Sequence, residues 1–329
     1  MATRVPASDR PATRPRRGVE RVPWQALFLA LGGIWGCSFL FIKLGLEAFT
    51  PVEVAFGRLA IGSVTLLVVS AATRTRLPRS RETWRHLSVT GLLFCVLPFT
   101  LFAFGETHVS SILAGIINGA TPLAALVMVM VAFPEERPTR ERIAGLLIGF
   151  AGVLVVLGAR NGFDGGELAG IAACAAAICC YGLAYPYTRR HLTATGDGPL
   201  ALATGQVLIA MLLLAPVVVT EAVLGLGSVT TPIGAGSIFG MLALGSLGSG
   251  IAYVLNIRIV IAAGGTIASS VTYVTPVVAV VVGIVFLGEP LRWHEPVGTV
   301  VVLAGVAVAQ GRLNVRVGRR GPAIATDRP

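Results

Sequence analysis

Long apolar runs alternate with short polar breaks along almost the whole chain. A helix needs about 20 predominantly apolar residues to cross the hydrocarbon core of a bilayer. Ten runs meet or approach that length: residues 24–44, 52–71, 87–105, 110–132, 143–157, 168–187, 200–223, 233–255, 266–287 and 297–310. The fifth and tenth are short. The pattern predicts an all-α membrane protein with ten transmembrane helices.

Composition agrees. Of 329 residues, 54% are apolar and 13% charged, against roughly 45–50% and about 25% in soluble domains. Too few polar groups remain to cover a water-facing surface, which excludes a soluble globular protein. Residues 1–22 are rich in Arg and Pro and read as a disordered cytoplasmic tail. The first apolar run is longer than a signal-peptide core and lacks a small-residue cleavage site, so it reads as the first membrane helix.

The net charge of +10 does not point to nucleic acid, because the cations sit in loops and tails between apolar runs. Placing the N-terminus in the cytoplasm puts 22 basic residues on that side, in both tails and in the breaks after helices 2, 4, 6 and 8. The opposite side holds three: Lys43, Arg160 and Arg292. Such an excess marks the cytoplasmic face. Both basic tails share a side only if the number of spans is even.

The halves resemble each other. Asn118-Gly-Ala-Thr121-Pro122 matches Thr272-Tyr-Val-Thr275-Pro276 at an offset of 154, and Glu135 falls on Glu289 at the same offset. Gly145 matches Gly298, and Ala151-Gly152 matches Ala304-Gly305. Trp35-Gly36 matches Tyr181-Gly182, Lys43 matches Arg189, and Gly57-Arg58 matches Gly205-Gln206. Two five-helix repeats follow, residues 23–158 and 166–311, with a basic cytoplasmic tail at 312–329. An odd number of helices per repeat makes the second enter from the other side. Inverted repeats of this kind build many secondary transporters, with the substrate at the repeat interface.

Enzyme signatures are missing. The single lysine, Lys43, follows Phe-Ile rather than a Gly-rich loop, so no Walker loop is present. Neither a His-Glu-x-x-His helix nor a Gly-x-Ser-x-Gly elbow occurs. The four histidines fall at predicted helix ends or loops. Five cysteines lie in apolar runs without metal-ligand spacing and read as packing residues. The sequence predicts no catalytic residue, no metal site and no cofactor.

Arg58 lies about seven positions into the second helix. A charge at a helix centre costs roughly 2.5–3.5 kcal/mol on insertion scales. Facing the bundle interior, Arg58 would pair with a carboxylate or carbonyl, or receive an anionic substrate group. The alternatives are snorkelling to an interface or a structural pair with Glu53. Pro122 and Pro276 sit near the middle of the fourth and ninth runs and free the carbonyls of Asn118 and Thr272. Those carbonyls, with Asn118, Thr121, Thr272 and Thr275, are candidates to line a polar cavity, unless neighbouring hydroxyls satisfy the kinks. Trp35, Tyr181, Tyr185, Tyr253 and Tyr273 lie within spans, where a ring needs a polar partner. Ser38 and Gln206, the residue matched to Arg58, complete the candidate set. Glu106, His108, Glu135 and Glu289 sit at span ends and read as water-facing. Gly145, Gly149, Gly245, Gly248 and Gly250 read as close helix packing.

The chain resembles the EamA-type branch of the drug/metabolite transporter superfamily. The resemblance rests on Trp35-Gly36-x-Ser38-Phe39 with Lys43, on Gly57-Arg58, and on Thr121-Pro122 through Glu135. In the second half it rests on Thr275-Pro276, Phe286-Leu287-Gly288-Glu289 and Gly305. Phe133-Pro134-Glu135 departs from the pattern that Leu287-Gly288-Glu289 keeps. The resemblance implies ten helices, cytoplasmic termini and transport of small metabolites such as amino acids, often outward. The reading is a non-enzymatic secondary transporter working as an exporter in a bacterial plasma membrane. Its repeats would rock about a site lined by helices 1, 2, 4, 6, 7 and 9, coupled to protons or a counter-substrate. It would act as a monomer or homodimer. A lipid-linked sugar or lysolipid flippase is one alternative, and a non-transporting membrane sensor or enzyme subunit another.

Overall fold

The structure, a computed structural model, describes residues 23–132, 139–156, 165–227, 232–264, 267–268 and 270–309. Every regular element among them is helical. The helices are α1 (Trp24–Leu46), α2 (Pro51–Ala72), α3 (Arg81–Glu106), α4 (Ser111–Gly119), α5 (Thr121–Ala132) and α6 (Arg140–Val156). They continue as α7 (Gly165–His191), α8 (Pro199–Val223), α9 (Ala235–Ala263), α10 (Ser270–Leu287) and α11 (His294–Ala309). Backbone groups have no water to bond with in a bilayer, so a spanning segment must satisfy them internally, and a helix does so.

Each predicted run overlaps a helix. Seven helices among the described residues are long and apolar enough to span a bilayer: α1, α2, α3, α7, α8, α9 and α10. The α4–α5 pair, bent by 43°, makes eight. α6 and α11, at 17 and 16 residues, are shorter. The basic tails and Glu135 lie outside the described residues.

Two boundaries differ from expectation for local reasons. α3 starts at Arg81, ahead of its apolar run, because Ser80 caps it: the Glu82 N–H donates to Ser80 Oγ at 3.2 Å. α9 runs on to Ala263, so Arg258 belongs to the exposed face of a helix rather than to a loop.

The outer faces are apolar. Val64 and Val68 on α2, Leu147 and Phe150 on α6, and Val285 and Phe286 on α10 are all at least 60% exposed. Such faces suit lipid. Inside, small residues let backbones approach. Gly32 and Gly36 of α1 leave no room for a side chain beside Val274 and Val278 of α10. Gly182 of α7 lies equally close to Ala124 and Ala125 of α5. α2 packs on α9 through Gly62 and Gly245, and α8 packs on α3 through Gly205 and Gly91. Gly145, Gly149 and Gly152 of α6 meet Gly298, Val302 and Gly305 of α11. α3 and α9 each carry a π-helical turn, at Leu92–Val96 and Leu244–Ile251.

Candidate functional site

α2 begins with a capping box. The Glu53 N–H donates to Thr50 Oγ1 at 3.2 Å, and the Thr50 N–H donates to Glu53 Oε2 at 2.8 Å. Glu53 is thus engaged at the helix start, and the Glu53–Arg58 pair considered above does not form. Two turns on, Arg58 points inward and is 4% exposed, so it does not snorkel. Its Nε donates to Ser249 Oγ at 2.9 Å. Its guanidinium carbon sits 3.5 Å from the centroid of the Phe99 ring. Arg58 makes no ion pair among the described residues, where His86 with Glu82 is the one pair within salt-bridge distance. Five N–H donors project from a guanidinium; among the described residues only Nε has a protein acceptor.

The remaining donors face a cavity between α1, α2, α3, α4, α7, α9 and α10. α3 and α9 supply walls that the sequence reading assigned to helix 7, and the corresponding α8 supplies none. Eight of the residues singled out above line it: Trp35, Ser38, Arg58, Asn118, Tyr181, Tyr185, Tyr253 and Thr272. The cavity has about 40 Å³ of water-accommodating space. One water needs roughly 10–15 Å³, so this conformation admits a few waters and not a metabolite.

Aromatic rings make most of the wall. Phe94 contacts Tyr181, Tyr185 and Tyr253 at centroid distances of 5.3, 4.8 and 6.0 Å. Trp35 meets Tyr253 edge-on at 6.2 Å. Two of the polar handles are spoken for: Trp35 Nε1 donates to the Gly248 carbonyl at 3.2 Å, and the Tyr253 hydroxyl to the Phe94 carbonyl at 2.8 Å. Tyr181 and Tyr185 line the same space as Arg58.

At the prolines the second of the two readings above holds. Neither interrupts a continuous helix: Pro122 is the second residue of α5, and Pro276 the third residue of the α-helical part of α10 after a 3-10 turn at Ser270–Tyr273. Neighbouring hydroxyls take the freed carbonyls. Thr121 Oγ1 donates to the Asn118 carbonyl at 2.6 Å, and Thr275 Oγ1 to the Thr272 carbonyl at 2.9 Å. Asn118 Nδ2 then donates to Thr275 Oγ1 at 3.1 Å, tying α4 to α10. Thr121, Pro122, Thr275 and Pro276 support the cavity from outside its wall. Tyr273 packs in the apolar cluster around α4 and α10. Gln206 donates to the Thr90 carbonyl at 3.3 Å, joining α8 to α3.

Phe39, Ile42, Phe94, Phe99 and Phe102 line the cavity but were not among the expected residues. Phe94 and Phe99 are five apart, a spacing that puts α-helical residues on different faces. The π turn at Leu92–Val96 widens the helix locally and brings both to one side.

A polar cluster closes the end of the site near Lys43. Glu106, expected to face water, is wholly buried. Its Oε2 accepts from Ser111 Oγ at 2.9 Å. Lys43 Nζ donates to the backbone carbonyls of Glu106 and Val109 at 2.8 and 3.4 Å. Gly288, at φ +63°, ends α10 and turns the chain so that Glu289 reaches α4. There Glu289 accepts from the N–H groups of Ser111 and Ile112 at 2.9 and 3.0 Å, the placement a helix N-terminus favours for an anion. At the other end of α3 and α7, His86 Nδ1 shares a hydrogen bond with the Tyr187 hydroxyl at 2.8 Å, and its ring stacks on His191. The five cysteines are free thiols.

The EamA-like transporter family model matches residues 22–158 and 168–310. An uncharacterized transporter of Bacillus subtilis (strain 168), YdfC, is 26% identical, covering 86% of this chain and 89% of that protein. A protein of Streptantibioticus cattleyicolor named "Probable terminal-alkyne amino-acid exporter" is 26% identical over 89% of this chain and 94% of its own length. The uncharacterized inner membrane transporter YedA of Escherichia coli (strain K12) is 28% identical over 89% and 92%. A solved crystal structure superposes with a TM-score of 0.63 at 21% identity, covering 88% of this chain and 99% of that one, a likeness of fold.

Proposed function

This chain belongs to the EamA-like transporter family, and from that premise we propose that it exports small metabolites, amino acids or related compounds, by alternating access about the Arg58 cavity. One observation carries the reading: a buried guanidinium with a single protein hydrogen bond, facing an aromatic-walled space between the two halves. A charge at that depth is costly, and a substrate carboxylate would take its free fork in the bidentate geometry arginine favours. The Tyr181 and Tyr185 hydroxyls and the phenylalanine rings suit an amphipathic body. The reading includes no catalysis.

The mechanism rests on two inverted five-helix repeats, counting α4 with α5 as one span and α6 and α11 as spans. The packing supports this. Exchanging the halves turns the α1–α10 contact into α7–α5, and α2–α9 into α8–α3. Both π turns fall on the matched third helices. Arg58 reaches across to α9 as its counterpart Gln206 reaches to α3. Rocking of one repeat on the other would enlarge a cavity now too narrow for a metabolite. The charge bias supports cytoplasmic termini in a bacterial plasma membrane. The exporter from Streptantibioticus cattleyicolor supports outward movement of an amino-acid-like substrate.

Untargeted mass spectrometry of culture media tests the reading. Cells expressing the wild type should accumulate a metabolite outside that cells expressing Arg58→Ala at matched membrane levels do not. A metabolite raised equally by both would remove Arg58 from substrate recognition. No change with either would count against export.

A further inference from the structure

We infer that Glu106 is the proton-binding acid of a gate over the Lys43 end of the cavity, and that losing its proton opens that gate. Glu106 ends α3 and is 0% exposed. Ser111 holds its Oε2, while its Oε1 has no hydrogen-bond partner among the described residues. Lys43 stands beside it yet gives its protons to the backbone carbonyls of Glu106 and Val109, not to the carboxylate. The second acid of the cluster, Glu289, is satisfied by two backbone N–H groups of α4. No cation pairs with Glu106 among the described residues: Lys43 donates to backbone carbonyls and Arg58 to Ser249. A second, unpaired carboxylate would be a buried charge, the arrangement that costs most. The closed cluster therefore suits a neutral Glu106.

The cluster lies directly over the site. Phe102, in the cavity wall, precedes Glu106 by one helical turn, and Ile42, also in the wall, precedes Lys43. Ser111 Oγ also lies 3.4 Å from the carbonyl of Phe39, a third wall residue. Lys43 of α1, Arg58 of α2 and Glu289 beyond α10 act electrostatically on Glu106, and Glu106 in turn acts on Cys174 of α7. His108, in the turn after α3, is exposed. Separating α4 from α1 and α3 would let water and the Lys43 ammonium reach Oε1. The open form then tolerates the anion and the closed form the acid. Proton release and opening are thereby linked, and the link supplies a coupling ion for the transport reading.

The test needs no known substrate. Ile42→Cys is labelled with a membrane-impermeant maleimide in right-side-out and inverted vesicles across a pH series. Vesicles with only the native thiols give the background. Each rate is divided by that of the same protein carrying Glu106→Gln, which cancels the thiol's own pH dependence. From the side of the gate the ratio should rise with pH, by up to about tenfold per unit for one linked proton, and then level off. Glu106→Asp should restore the rise. In parallel, infrared difference spectra of nanodisc-embedded protein should show a carboxylic-acid C=O band that disappears with rising pH and is missing in monodisperse Glu106→Gln. A flat ratio from both sides, or an acid band unchanged by Glu106→Gln, overturns the inference. The infrared result does not depend on transport, so its failure is distinct from a failure to find an exported metabolite.

Discussion

Replacing Arg58 by Met separates a cation held for a ligand from an internal latch. Methionine keeps much of the straight stem and removes the charge. Two attractions are lost. The Nε hydrogen bond to Ser249 is of the charged kind worth about 1.5–3 kcal/mol, and the stacking of the guanidinium on Phe99 is worth about 0.5–2 kcal/mol. Against them stands relief from burying the charge, roughly 2.5–3.5 kcal/mol on insertion scales. The terms nearly cancel, so unfolding free energy in micelles should stay within about 2 kcal/mol of the wild type. Export of the metabolite found in the medium should be lost. A latch behaves otherwise, since breaking a buried ion pair costs about 3–5 kcal/mol. Steric-trap unfolding in mixed micelles resolves that difference. A loss of 3 kcal/mol or more, on the order expected for a broken pair, would refute the reasoning and make Arg58 a structural tie. Unchanged stability with unchanged export would leave Arg58 a bystander.

Glu289→Ala leaves the buried N–H groups of Ser111 and Ile112 without an acceptor, at about 1–3 kcal/mol each. Glu289→Gln, which keeps one acceptor oxygen, should lose about half as much in thermal unfolding, and equal losses would contradict the two-donor geometry. Gly305→Leu places a side chain against the Gly149 backbone and should abolish the monodisperse peak in size-exclusion chromatography. Gly33→Ala, with no atom within 4 Å of the added carbon, should instead stabilise α1 by roughly 0.5–1 kcal/mol. Thr275→Val strips Asn118 Nδ2 of its acceptor and the Thr272 carbonyl of its donor, so a loss of about 1–3 kcal/mol is expected in the same unfolding assay. A shift within error would show that α4 and α10 are tied by packing alone.

Helix positions were legible because lipid leaves the backbone few choices; which face of each helix meets which neighbour was not. In a soluble helix the polar stripe marks the outside. Here the outer faces are as apolar as the inner ones, with Val285 and Phe286 of α10 exposed and Val282 and Gly283 buried. Only residues too polar for lipid declare themselves, which is why Arg58, Asn118, Thr272 and the tyrosines could be named in advance and the phenylalanine wall could not. The π turn of α3 deepened that gap by moving Phe94 and Phe99 onto one side against the α-helical count. Glu106 failed for another reason. Its place at the end of an apolar run suggests water, but Lys43 and Cys174 come to it from parts of the chain that no local pattern connects, and Ser111 folds back on it across the turn that follows α3. The Gly288-Glu289 pair shows how a short motif acquires meaning from the fold. The glycine ends α10 in a left-handed turn, and that turn delivers the carboxylate to the first N–H groups of α4. One carboxylate thus closes the second half of the chain onto the first while leaving Glu106 as the unsatisfied acid beside it. If the halves rock apart at that end, these contacts must break before the Arg58 cavity can widen, so the energetics of the Glu106–Glu289 cluster bear directly on access to the site.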